Sequence, residues 1–169
     1  MWTDLGITDA FRNIQHVLKE EGLLHDYIDG VLGPNTFKAI REFQQKYGLP
    51  QQNGVIDKAT LDSFFDWSSR SNSPINDKDQ DYMRQFLKKP SFNRLAEQVM
   101  WFQTVLHKAG YCADRPDGLL RPEILDAVHV FQEKRGIPGD RAIGYDTLLC
   151  AIELDLNRLK AANRRRDVK

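Results

Sequence analysis

Four histidines, two cysteines and a few paired acids are the side chains of this chain best suited to metal, nucleophilic or acid–base chemistry. His16, His25, His107 and His129 are scattered, and none stands in the H-E-x-x-H spacing that sets two imidazoles on one helix face around zinc. No metal and no cofactor is expected. Cys112 and Cys150 lack metal-type spacing and a histidine in a recognised nucleophilic arrangement, so each reads as a small apolar core residue. Both fall in the second half of the chain, which leaves a single bridge between them open. Glu20 with Glu21, and Asp77 with Asp79 and Asp81, read as solvated helix faces and partners of helix N-termini. With no nucleophile elbow either, the expectation is a protein without catalytic residues, not an enzyme.

A different kind of signal lies in "YIDGVLGPNTFKAIREFQQKYGLP", Tyr27 to Pro50, where glycine and proline are dense. Most of that density is helix punctuation. Asp29 and Gly30 make a turn, Gly33 and Pro34 open a helix, Gly48 stops it and Pro50 prevents its restart. Between start and stop, Phe37, Ile40 and Phe43 point inward at spacings of three, with Ala39 or Tyr47 at the margins. An earlier helix, Asp9 to Glu21, puts Phe11, Ile14, Val17 and Leu18 on one stripe and ends at Gly22. A short third helix, capped by Asp57, closes the core with Leu61, Phe64 and Phe65.

The same phrase returns as "RPDGLLRPEILDAVHVFQEKRGIP", Arg115 to Pro138. Gln15 aligns with Gln103, Asp29-Gly30 with Asp117-Gly118, Pro34 with Pro122, Phe43-Gln44 with Phe131-Gln132 and Pro50 with Pro138. The offset is a constant 88 (103 minus 15), and one deletion then aligns Asp57 to Leu61 with Gly144 to Leu148. A gapless register of this length indicates duplication. The helical-spaced aromatics, Phe37, Phe43, Phe65, Trp101, Phe102 and Phe131, read as core; Trp2 and Trp67 lie outside the repeated elements and are candidates to seal an interface or meet a partner.

The 169 residues carry equal numbers of basic and acidic side chains, 24 each, which removes the electrostatic warrant for nucleic acid or anionic lipid as the main partner. No apolar run reaches the roughly 20 residues that span a bilayer, and the N-terminus has no basic segment followed by an apolar one. The expectation is cytoplasmic synthesis without a signal peptide. The serine-rich "DWSSRSNSPINDKDQ" reads as a linker, and Tyr82 to Leu87 as a helical segment within it. This divides the chain into a first module at 1–66, a linker at 67–90 and a second module at 91–169. In the last, Leu148, Leu149, Ile152, Leu156 and Leu159 form an apolar stripe on an extended helix, with Arg164 to Lys169 frayed. Three-helix units of about 50 residues are near the lower limit for independent stability, so the two should pack together.

The first copy resembles the peptidoglycan-binding domain-like family, three-helix modules attached to cell-wall hydrolases and phage endolysins. The resemblance rests on Ile14-Gln15, on Asp29-Gly30-Val31-Leu32-Gly33-Pro34-Asn35-Thr36, on Ala39 to Gln44, on Gly48-Leu49 and on Gly54 to Leu61. The second copy keeps the frame but has Arg121 where the family has glycine and Ile124 where it has threonine. Together the copies cover about two thirds of the chain. The resemblance implies an all-α fold of two tandem modules, the second degenerate, and non-catalytic binding of the glycan strand or stem peptide of bacterial peptidoglycan.

A ligand bearing N-acetyl groups, hydroxyls and carboxylates calls for amide donors, polar side chains and an aromatic face. The candidates for binding are Tyr27, Asp29, Asn35, Lys38 and Arg41, with Asp29 also explained by its turn and Thr36 by its helical start. Partners implied are the wall and a lytic enzyme or a secretion or phage component, which would also account for export. Two other readings stand beside this one: a protein–protein adaptor or inhibitor that keeps the fold without wall binding, and a small lytic enzyme.

Overall fold

A computed structural model describes residues 6–70 and 89–166. Trp2, the linker segment Tyr82 to Leu87 and the acids Asp77, Asp79 and Asp81 lie outside the described residues, as does the side chain of Phe65. The described chain is all-helical: α1 Gly6–Glu20, α2 Pro34–Lys46, α3 Lys58–Arg70, α4 Lys89–Lys108, α5 Ile124–Arg135 and α6 Tyr145–Arg166. None of these helices is long and apolar enough to cross a membrane.

Each copy is built around its first helix. α1 packs against α2 and α3, and α4 against α5 and α6. The inward positions read from the sequence are the buried ones: Phe11, Ile14, Val17 and Leu18 on α1, and Phe37, Ile40 and Phe43 on α2. Six phenylalanines, Phe11, Phe37, Phe43, Phe64, Phe102 and Phe131, are fully buried, each contributing roughly 1.5–3 kcal/mol of burial energy. Asp57 caps α3 as expected, its carboxylate accepting from the Thr60 N–H at 2.9 Å.

Four buried glutamines brace the loops, in two equivalent pairs. Gln15 accepts from the N–H groups of Asp29 (3.1 Å) and Gly30 (2.8 Å) and donates to the Asp29 carboxylate and the Val31 carbonyl, both at 2.9 Å. Gln103 makes the same set with Asp117, Gly118 and Leu119. Gln44 accepts from the Gly54 N–H at 2.8 Å and donates to the Val55 carbonyl and the Thr60 hydroxyl; Gln132 does likewise with Arg141, Ala142 and Thr147. A primary amide suits this work because it offers an acceptor and two donors on one rigid plane, which meets several orphaned backbone groups at once.

The copies are joined into one core, and the join is an exchange. Leu32, which precedes α2 of the first copy, forms an antiparallel bridge with Ile143, which precedes α6 of the second; Ile56, before α3, does the same with Leu120, before α5. Leu32 and Ile143 trade both hydrogen bonds, at 3.0 and 2.9 Å, and Ile56 N–H donates to the Leu120 carbonyl at 2.9 Å. All four side chains are buried in a single apolar cluster that spans both copies, while α1 lies directly on α4.

Some expectations are corrected. The first helix starts at Gly6 rather than Asp9, and the last stays helical to Arg166 rather than fraying from Arg164. Of the C-terminal stripe, Leu148 is buried and Ile152 and Leu156 are half-buried, but Leu149, about 100° round the helix from Leu148, and Leu159 are exposed. Trp101 is half-buried, its indole N–H donating to Asp155 at 2.9 Å and so tying α4 to α6. Cys112 and Cys150 are both free and half-buried.

Candidate ligand-binding site

The turn at Asp29-Gly30 follows from its residue types. The Asp29 carboxylate accepts from the Val31 N–H at 2.9 Å, an Asx-type turn, and Gly30 takes φ +75, where a side chain would strike the Thr8 carbonyl at 2.9 Å. The equivalent Gly118 has φ +77 and the same tight approach to the Ala96 carbonyl. Each loop is thereby held against the first helix of its copy, and in the first copy Tyr27 and Ile28 before it are exposed while Leu32 after it is buried.

Four of the five candidates lie on one outward surface. Tyr27 is 87% exposed, with the Lys19 ammonium 5.8 Å from its ring centre. Lys19 also donates to the Asp26 carbonyl at 2.9 Å, which holds the loop to α1. Asn35 donates to the Asp26 carboxylate at 2.8 Å, joining the start of α2 to the residue beside Tyr27. Lys38 and Arg41 follow Asn35 at helical spacings of three and are exposed, Lys38 within 4.0 Å of Glu42. Thr36, by contrast, is buried and faces the core.

Asp29 is divided between two roles. One carboxylate oxygen, Oδ1, is taken by Gln15 and the Val31 N–H. Oδ2 accepts no hydrogen bond from the described residues, and the residue is exposed.

The second copy presents a different surface on the same frame. Tyr27, Asn35, Lys38 and Arg41 are matched by Arg115, Glu123, Asp126 and His129. Asp117 makes the same turn as Asp29, but Arg121, standing where Gly33 does, clamps it through two guanidinium contacts of 3.0 and 2.6 Å. That hydrogen-bonded pairing with Arg121 outweighs partial burial and lowers the Asp117 carboxyl to about 2.

The residues that the sequence reading missed are Glu21 and its partners. Glu21 lies at the end of α1 with its side chain only 12% exposed, bonded to the Lys46 ammonium at 2.5 Å and to the Trp67 indole N–H. Burial pushes its carboxyl up, but the hydrogen bonds from Lys46, Trp67 and Tyr47 together hold it below the ordinary value. Trp67 is thus a clasp within the first copy, joining α3 to α1. The signal was faint, since Glu21 reads as one of two adjacent acids and only Ala109 at the matching position marks it as peculiar to this copy.

A cleft of about 440 Å³ opens beside the Ile56–Leu120 bridge, lined by Ile56, Leu61, Leu95, Val99 and Leu120 with Lys58 and Asp62 at its edge. None of the five candidates lines it. Among the described residues there is no group of three or more histidine, cysteine, aspartate or glutamate side chains able to hold a metal ion.

Fold and surface together define a duplicated three-helix module with an aromatic and polar patch on its first copy. The chain matches the family model described as "Putative peptidoglycan binding domain" at residues 8–63 and again at 96–148, and it belongs to that family. No curated protein and no solved structure matches it.

Proposed function

We propose that this protein binds bacterial cell-wall peptidoglycan without cleaving it, through the first copy, and so carries itself or a partner lytic enzyme to the wall. The observation that carries the reading is the surface at the start of α2: Tyr27 stands almost fully exposed beside the Asp26–Asn35 hydrogen bond, with Lys38 and Arg41 along the helix. An exposed aromatic face packs against the apolar face of a sugar ring, amide groups match N-acetyl groups, and the two cations match stem-peptide carboxylates.

The test is sedimentation with insoluble sacculi. The full chain should pellet with them, and replacing Tyr27 and Asn35 by alanine together should reduce the bound fraction about tenfold, as expected for the loss of one stacked ring and one hydrogen-bonded amide. A chain that stays in the supernatant across salt and pH, while a control wall-binding module pellets, would remove the reading. Clearing of turbidity in the same tube would instead establish a lytic activity.

One observation favours a second reading for the second copy alone. Its outward positions have changed sign and type, and Arg121 covers its turn, which suits a copy kept for packing or as a surface for another protein.

A further inference from the structure

We infer that Asp29 is a receptor for a cationic nitrogen, and that on the wall this is the free ammonium of an uncrosslinked diamino acid in the stem peptide. The inference rests on the proposed wall binding and deepens it. The duplication supplies its own comparison. Asp29 and Asp117 occupy equivalent turns, held by the equivalent glutamines Gln15 and Gln103 through the same set of hydrogen bonds. In the second copy a guanidinium already sits on this carboxylate in two-point geometry, delivered by Arg121 from four residues along the chain. In the first copy that position is Gly33, and the side chain that would carry the cation is gone.

What remains is a carboxylate with Oδ1 committed to the turn and Oδ2 turned to solvent without a partner among the described residues. The second copy therefore displays, within the molecule, the group that the first copy is shaped to take from outside. One cation of the first copy comes near: Arg12 leans across Gly30, but its guanidinium is bonded to Asp9 at 2.9 Å.

Charge along α2 fits the same ligand. Asp29 precedes the helix, and Lys38 and Arg41 follow on its exposed surface, about 4.5 Å apart along the helix axis at 1.5 Å per residue. A stem peptide with an unlinked diamino acid carries an ammonium and carboxylates within one short segment, the same order of opposite charges. A fully crosslinked peptide has converted that amine into an amide and lost the positive charge. Asp29 would then make the module prefer uncrosslinked wall.

The experiment compares three preparations of the same sacculi: untreated, N-acetylated to remove the charge of the amines, and reductively methylated, which alters the amines but keeps them cationic. The full-length wild type should bind untreated and methylated sacculi alike and acetylated sacculi about tenfold more weakly, the usual scale for losing one charge-assisted hydrogen bond. Asp29→Asn keeps an Oδ1 acceptor for the turn and should bind all three at the weak level. Gly33→Arg tests the same point without touching the acid: φ is −121 and an added Cβ would lie 3.3 Å from that of Ala142, so the residue fits with a small shift and brings its own guanidinium to Asp29. It too should become indifferent to acetylation. Equal binding of the wild type to untreated and acetylated sacculi overturns the inference while leaving wall binding intact. Failure of the wild type to bind any of the three overturns both.

Discussion

The two copies agree inside and differ outside. Gln15 and Gln103 brace one loop of each copy, Gln44 and Gln132 the other, and fully buried phenylalanines recur at Phe43 and Phe131. On the surface, Tyr27, Asn35, Lys38 and Arg41 face Arg115, Glu123, Asp126 and His129 across the alignment, and an open Asp29 faces a clamped Asp117. The difference separates two constraints that a single module would leave entangled. Residues repeated in both copies are those the shared frame needs; residues special to one either stabilise that copy, as Glu21 and Trp67 do, or are free to serve a ligand. By that criterion the Asp-Gly turn itself belongs to the fold, and the uncovered oxygen of Asp29 belongs to the first copy alone.

The comparison is broken most severely at the seam. Leu32→Ala and Leu120→Ala remove matched, fully buried side chains, and each should cost about 3 kcal/mol with a cavity left behind. Because the bridges run between copies, either change should destabilise the whole molecule in one urea transition, followed together by far- and near-ultraviolet circular dichroism. Two separate transitions, with only the mutated copy weakened, would show that the copies are independent units.

A smaller effect is confined to the first copy. Glu21→Gln loses the ion pair with Lys46 and weakens the bond from Trp67, at a cost of about 1 kcal/mol near neutral pH. The folded-state pKa of Glu21 lies below its ordinary value of 4.5, so its contribution is present above that value and disappears as pH falls through the folded pKa. The stability gap between wild type and variant, measured by chemical denaturation, should therefore narrow as pH drops below 4.5. A gap that widens in acid would contradict the assigned sign.

The smallest effect sharpens a backbone difference between the copies. Gly54 adopts φ +87, and its counterpart Arg141 adopts φ +56, the left-handed region that a residue with a side chain occupies at a cost. Arg141→Gly should raise stability by up to about 1 kcal/mol, because relief of that strain exceeds the extra entropy of glycine in the unfolded chain. The Arg141–Asp126 pair lost with it is solvent-exposed at 3.4 Å and contributes little. Gly54→Ala should do the reverse, since its Cβ would meet Pro122 at 3.1 Å. A thermal melt of the two variants beside wild type suffices to check the order.

Much of this was legible in the chain itself. The apolar spacing of Phe37, Ile40 and Phe43, the proline that opens α2 and the aspartate that caps α3 act over a few residues, so their consequences can be read locally. The glutamines were visible as repeated letters but not as braces, because a polar residue next to a buried phenylalanine has no local signature of what it bonds. Glu21 and Trp67 lie 46 residues apart, and nothing in either neighbourhood names the other. Asp29 was legible as a turn residue, yet its free oxygen acquired meaning only beside the Asp117–Arg121 clamp.

The sequence alone determined an all-helical chain with a duplicated frame, the positions of its turns and stops, and the family to which it belongs, since each of these follows from local chemistry or from repetition. Which residue pairs with which across the seam was decided by the tertiary structure. Leu32 and Leu120 are the same residue type, as are Ile56 and Ile143, so pairing within a copy or between copies satisfies the same hydrogen bonds and buries the same kinds of side chain. Only the packing of α1 on α4, which brings the two frames face to face, selects the exchanged arrangement and makes one core of two copies.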